Sequence, residues 1–351
     1  MKNLSTGWPW ALMAAVGLGI TCGTTTTMAQ QGVSVTTWHN DIGRTGQNTQ
    51  ETILTPGDVD QHQSGTVTEE TFGLLCRFTS VTGQIYAQPL VVSHSDGSMT
   101  VYVATMQDYV YAFQIPANWN GVCSGIITTS LNLLPSNSGE YPTDCCYMGN
   151  ERSIACSQKP NPTPFYPTAG VLGTPVIDTS SNTLYVVAES QLGPSSDYNP
   201  GVCDSTDHKP SAWYHRLHAL DSTTLNEKYG GPVPIRGSQN NITFKDQTEI
   251  QRPGLLWLSG SQTASGKASV YIGFSMMDGT QPHPTGWVFG YYGDLSNSSG
   301  PMVYATTVGP PDPQGRGGGI WQGAGGLAAG QEQSGNPYYI YFSTADDPAH
   351  S

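Results

Sequence analysis

Charge is what this sequence has least of. Charged residues make up 11% of the chain, against roughly 25% in an ordinary soluble domain. Only 13 residues are basic and 26 are acidic, for a net charge of −13. A surface of that sign repels phosphate backbones, which argues against a nucleic-acid partner. There is also no basic run to hold an acidic membrane. Helical apolar spacing is not sustained anywhere beyond the N-terminus. Several catalytic signatures are missing too: there is no Gly-x-Ser-x-Gly elbow, no His-Glu-x-x-His and no Cys-x-x-Cys-His haem site.

What is present is turn chemistry and short apolar strands. The chain carries 42 glycines and 25 prolines, and serine, threonine and asparagine are abundant. That mix suits many short strands joined by turns and is poor for long helices. Residues 1–29 read as a secretory signal. Lys2 gives a positive start, Trp10 to Ile20 forms the apolar core, and Thr27-Met28-Ala29 is a small-residue cleavage site. The apolar core is too short to span about 30 Å of hydrocarbon. The expectation is an extracytoplasmic protein, periplasmic or secreted, with no membrane span after cleavage. Once Cys22 is removed with the signal, six cysteines remain: Cys76, Cys123, Cys145, Cys146, Cys156 and Cys203. An even count in an exported chain allows up to three disulfides, with the pairing open.

Four segments share one outline: a Pro- or Gly-led strand, a turn, a strand with a tyrosine, a loop, then an aromatic-rich strand. The tyrosines are Tyr102, Tyr185, Tyr271 and Tyr341, spaced 83, 86 and 70 residues apart. Propeller blades take roughly 40–50 residues, so the excess is assigned to loop insertions at 116–169 and 191–213. Turn-marked short strands of this kind predict an all-β propeller. Its blades are expected near 84–134, 170–235, 251–308 and 318–345, about three and a half in all, so that 30–351 forms one incomplete ring. Phe72–Ser80 is expected to provide the outer strand that would close the last blade in a full-length relative.

Particular motifs carry a family resemblance. They are Trp38-His39-Asn40-Asp41 with Arg44-Thr45-Gly46-Gln47-Asn48, Thr55-Pro56, Gly83 to Leu90, Arg216 to Asp221, Gln251 to Leu256, and Gly318-Gly319-Ile320-Trp321-Gln322. Over residues 33–345 the chain resembles exported bacterial PQQ-like (quinoprotein-type, pyrrolo-quinoline quinone repeat) β-propellers, matching their N-terminal part. The resemblance implies a PQQ-like propeller but no particular activity.

Enzymes of this type hold PQQ and Ca²⁺ on the propeller axis. The resemblance therefore nominates the vicinal pair Cys145-Cys146 for cofactor binding and Glu189 for the metal. Carboxylate and amide oxygens suit a hard cation. The simpler reading bridges Cys145 and Cys146 to Cys123 and Cys156, and leaves Glu189 as a solvated strand end. His215 and His218 lie three apart on a strand, on opposite faces, and make a poor zinc pair. Gly323-Ala324-Gly325-Gly326 reads as turn or close-packing glycine rather than a phosphate loop. The leading expectation is an exported scaffold or binding module with no catalytic residue and no cofactor, its protein or small-molecule partner unknown. The alternative is a relative of the PQQ- and Ca²⁺-dependent alcohol dehydrogenases.

Overall fold

The computed structural model describes residues 32–49, 74, 76–119, 121–144, 168–193, 210–239, 241–276, 285–306, 318–322 and 325–344. The signal-like segment 1–29, Cys145, Cys146, Cys156 and Cys203 lie outside them. The protein is all-β, and its described helical residues form short 3₁₀ turns such as Cys123–Gly125 and Gly260–Gln262.

The chain lays down antiparallel sheets one after another. The first holds β1 (Leu90–Ser93), β2 (Met99–Ala104), β3 (Tyr109–Ile115) and β4 (Ile127–Asn132), paired in that order. The second holds β5 (Glu140–Asp144), β6 (Thr168–Ala169), β7 (Val176–Asp178), β8 (Thr183–Leu192), β9 (Ala212–Asp221) and β10 (Val233–Pro234). Its order is β10-β9-β8-β5-β6, with β7 also on β8. A two-stranded ribbon follows, β11 (Ser238–Gln239) with β12 (Ile242–Thr243). The third large sheet holds β13 (Glu249–Ile250), β14 (Leu256–Leu258), β15 (Ser269–Met276), β16 (Gly286–Tyr292) and β17 (Met302–Ala305). Last comes the pair β18 (Ala328–Gly330) and β19 (Tyr339–Tyr341). No barrel closes among the described strands.

The large sheets stack face to face, and side-chain alternation along each strand makes this possible. On β8, Leu184, Val186 and Ala188 pack with Leu90, Tyr102, Val110 and Ala112 of the first sheet. Tyr185 and Val187, on the opposite face, pack with Val270, Ile272, Phe274 and Phe289 of the third. The other face of the third sheet, through Leu256, Leu258 and Val288, meets Ala329, Ile340 and Phe342 around the β18–β19 pair. Strands buried on both faces read as near-continuous apolar runs, as Leu184 to Ala188 does.

The tyrosines sit in one register. Tyr102 lies opposite Leu90 and Ala112, Tyr185 opposite Val176 and Ala219, Tyr271 opposite Leu256 and Gly290, and Tyr341 opposite Ala328. Each of the first two also ties its sheet to the next. Tyr102 donates to the carbonyl of Ser222, the residue after β9, at 2.7 Å. Tyr185 donates to the carbonyl of Gly293, the residue after β16, at 2.8 Å.

Among residues 72–80, those described form no strand here, and Phe78 lies with Val81 against Val103, Tyr111 and Phe113 on the outer face of the first sheet. One expectation is corrected. Cys123 is bonded to Cys76, with Cα atoms 5.4 Å apart, so it is not a partner for Cys145 or Cys146. The same bond anchors the 76–81 segment beside the first sheet, where Phe78 packs on Phe113.

Candidate functional site

The carboxyl end of β8 and the amino end of β9 change character from apolar to polar. Glu189 lies opposite His215 and Ala188 opposite Arg216, so alternation sends Glu189 and His215 to one face and Ser190 and Arg216 to the other. On the face toward the third sheet, His215 Nε2 is 3.3 Å from Glu189 Oε2 and Nδ1 is 3.2 Å from Asp246 Oδ1. The His215 backbone N–H also donates to Asp246 Oδ1, at 2.8 Å. Phe244 and Phe274 present edges to the ring at 5.8 and 5.2 Å. Burial works against a charged imidazole here. The two carboxylates outweigh it and raise the His215 pKa to about 10. Burial also raises the Glu189 pKa, opposed by His215.

On the other face Arg216 grips Glu140 with both terminal nitrogens, at 2.6 and 2.9 Å. Ser190 closes the group by donating to Glu140 Oε2 at 2.7 Å. The Arg216 guanidinium also stacks on Tyr214, 4.4 Å from its ring centre.

Next to this pair lies Asp108, in the tight turn joining β2 and β3, at φ 56°. It is fully buried and neither carboxylate oxygen has a hydrogen-bond partner. Burial, with a smaller push from Glu189, lifts its pKa well above the usual carboxylate range, so its neutral form is favoured. Gly170 is what allows this turn to approach. A Cβ there would stand 2.7 Å from both Asp108 Oδ1 and the Met106 carbonyl. Burial likewise raises Glu249 to about 8, against the pull of the Trp287 indole. Neither Glu249 Oε2 nor Trp287 Nε1 completes a hydrogen bond.

Glu189 is therefore not the solvated strand end that the sequence suggested. It is 3% exposed and sits within β8, opposite His215 of β9, while β5 pairs with β8 from Ser190 onward. The expectation missed this because 191–213 read as a loop insertion, whereas β5 pairs with the far end of β8. As a Ca²⁺ site the arrangement does not fit. The cation would share Glu189 with an imidazolium 3.3 Å away, and Ca²⁺ needs about six to eight oxygens. Among the described residues no group of three or more His, Cys, Asp or Glu is placed to hold a metal. The vicinal pair Cys145-Cys146 lies outside the described residues. His215 and His218 do face opposite ways: His218 engages Glu227 instead. Asp108, Glu189 and His215 are all closed to solvent, and His215 bridges Glu189 and Asp246 where the second sheet meets Phe274 of the third.

The opening motif also has a structural role. Arg44 donates to the carbonyls of Trp38, Asp41, Leu255 and Leu327 and to the Thr37 hydroxyl. One side chain thus clasps the N-terminal loop to the third sheet and to the approach to β18. The glycines 325 and 326 serve close packing: Gly254 donates to the Gly325 carbonyl and forms a parallel bridge with Gly326. Sequence reasoning missed the Arg44 clasp, although an arginine in a Gly- and Thr-rich loop hinted at carbonyl partners.

A second candidate lies on the far face of the third sheet. Tyr271, Val288, Met302, Tyr304, Ile340 and Phe342 line an apolar groove of about 410 Å³ beside β19. Tyr304 is 51% exposed and Met302 37%, so the groove is open to solvent. Among the described residues, β19 pairs with β18 alone.

Comparison with known proteins finds no matching family model, no matching curated protein and no matching solved structure. Among the described residues no helix is long and apolar enough to cross a membrane.

Proposed function

We propose that this chain is an exported binding module built on PQQ-like propeller blades, and that it binds through the groove beside β19. The serial face-to-face packing of the sheets and the shared tyrosine register support the propeller reading. One observation carries the binding reading: an open, almost wholly apolar groove on the far face of the third sheet. Contiguous exposed apolar surface of this kind marks interaction sites. The buried acids and His215 support the scaffold reading.

Titration with the neutral apolar dye Nile red tests this. Saturable one-to-one fluorescence enhancement, abolished by Met302→Lys at unchanged melting temperature, is expected. Enhancement that never saturates, or that survives Met302→Lys, would remove the groove as the binding site.

A further inference from the structure

We propose that the polar end of the interface between the second and third sheets is a binding site for internal water, with one water held between Glu249 and Trp287 and another between Gln191 and Trp213.

The two sheets meet through an apolar core over most of their length, where Tyr185 and Val187 of β8 pack with Val270, Ile272 and Phe289. Toward the far end of β8 the same face turns polar. Glu189 and then Gln191 follow Val187 at two-residue steps, opposite His215 and Trp213 of β9. Thr143 of β5 joins them close to Glu189. The third sheet answers with Trp287 and Glu249. Trp287 lies opposite Phe274, and Glu249 lies opposite Met276, two residues further along β15. Both therefore share the face on which Phe274 meets His215.

These groups are buried without protein partners. Among the described residues nothing completes a hydrogen bond with Gln191 Oε1 or Nε2, Thr143 Oγ1, Trp213 Nε1, Trp287 Nε1 or Glu249 Oε2. Leaving a buried amide unpaired at both ends costs more than ordering a water that satisfies it. The chemistry of the set specifies the ligand. The two indoles and the amide nitrogen donate, while the amide, hydroxyl and carboxyl oxygens accept. An anion would meet Glu189 and Glu249. A metal cation would meet indole and amide N–H groups and the His215 imidazolium. An apolar molecule would leave every group unpaired. A small neutral molecule that both donates and accepts satisfies them all. In an interface closed to solvent that molecule is water, which makes about three hydrogen bonds at such sites. Bound there, water is the polar filling that lets the second and third sheets stay packed where their apolar core stops.

A crystal structure of the unmodified protein, at a resolution that shows water, tests this directly. The expected result is an ordered water within hydrogen-bond distance of both Trp287 Nε1 and Glu249 Oε2, and another bridging Gln191 and Trp213 Nε1. Oxygen-17 relaxation dispersion of the same protein in solution should show long-lived internal water. Gln191→Met and Glu249→Met keep the side-chain length and remove the polar atoms, so each should lower the dispersion amplitude. Direct pairing of these atoms with groups from any part of the chain overturns the proposal. So does an interface that is dry, or that holds a metal ion or an organic molecule. A dispersion that is absent from the parent, or unchanged in both variants, overturns it as well. If neither variant folds, the crystal structure of the parent decides alone.

Discussion

At the residue scale, the unusual feature is how many ionisable groups are buried with raised pKa values. Glu249 keeps its proton to about pH 8 in the folded protein, while an unfolded glutamate loses it near 4.3. His215 keeps its proton to about pH 10, against about 6.5 unfolded. In both windows the native state binds more protons than the unfolded state, so stability falls as pH rises. The contribution from Glu249 is fully present below about pH 4 and is lost by about pH 8. That from His215 is lost between about 6.5 and 10. Thermal melts should show a steady decline from pH 5 to 10. Glu249→Gln replaces an acid held neutral with a neutral amide. It should flatten the lower part of that decline and melt several degrees above the parent at pH 9. A variant curve parallel to the parent throughout would remove Glu249 as the source.

At the element scale, single side chains hold separate strands together. Arg44 satisfies carbonyls on three different stretches of chain, at Trp38, Leu255 and Leu327. Arg44→Ala leaves those buried acceptors unpaired. The expected loss is about 2–4 kcal/mol, read from the urea midpoint at unchanged slope. Arg44→Lys should recover little, because an ammonium cannot reach several divergent carbonyls as a planar guanidinium does. A loss under about 0.5 kcal/mol for both variants would mean that water replaces the clasp.

At the scale of the whole molecule, the Cys76–Cys123 bond closes a loop with a sequence separation of 47. A loop of that length stabilises by about 4 kcal/mol on the chain-entropy account. Cys76→Ser with Cys123→Ser should lower stability by up to that amount. It should also make the segment near Phe78 the first site cut in limited proteolysis. Equal stability of parent and double variant under oxidising conditions would show that Phe78 packing alone holds the segment.

Much of the strand pattern is legible in the sequence, because period-two alternation and turn residues are local properties. The runs around Tyr102, Tyr185 and Tyr271 fall in strands where the apolar spacing placed them. Opposite-facing His215 and His218 also follow from period two alone. Other features needed the tertiary structure. β8 runs on to Leu192 because β5, some 50 residues earlier, pairs with its far end, and this contact turns Glu189 from a surface acid into a buried one. Nothing near Cys123 in the chain selects Cys76 over Cys145, Cys146 or Cys156; packing of Phe78 on Phe113, ring centres 4.5 Å apart, brings Cys76 there. The sequence by itself determined the all-β class, the sparse charge and the strand that each tyrosine occupies, since these depend on neighbouring residues. Which polar groups are buried, which cysteines meet and where an apolar groove stays open depend on contacts between distant segments, and only the tertiary structure decides those.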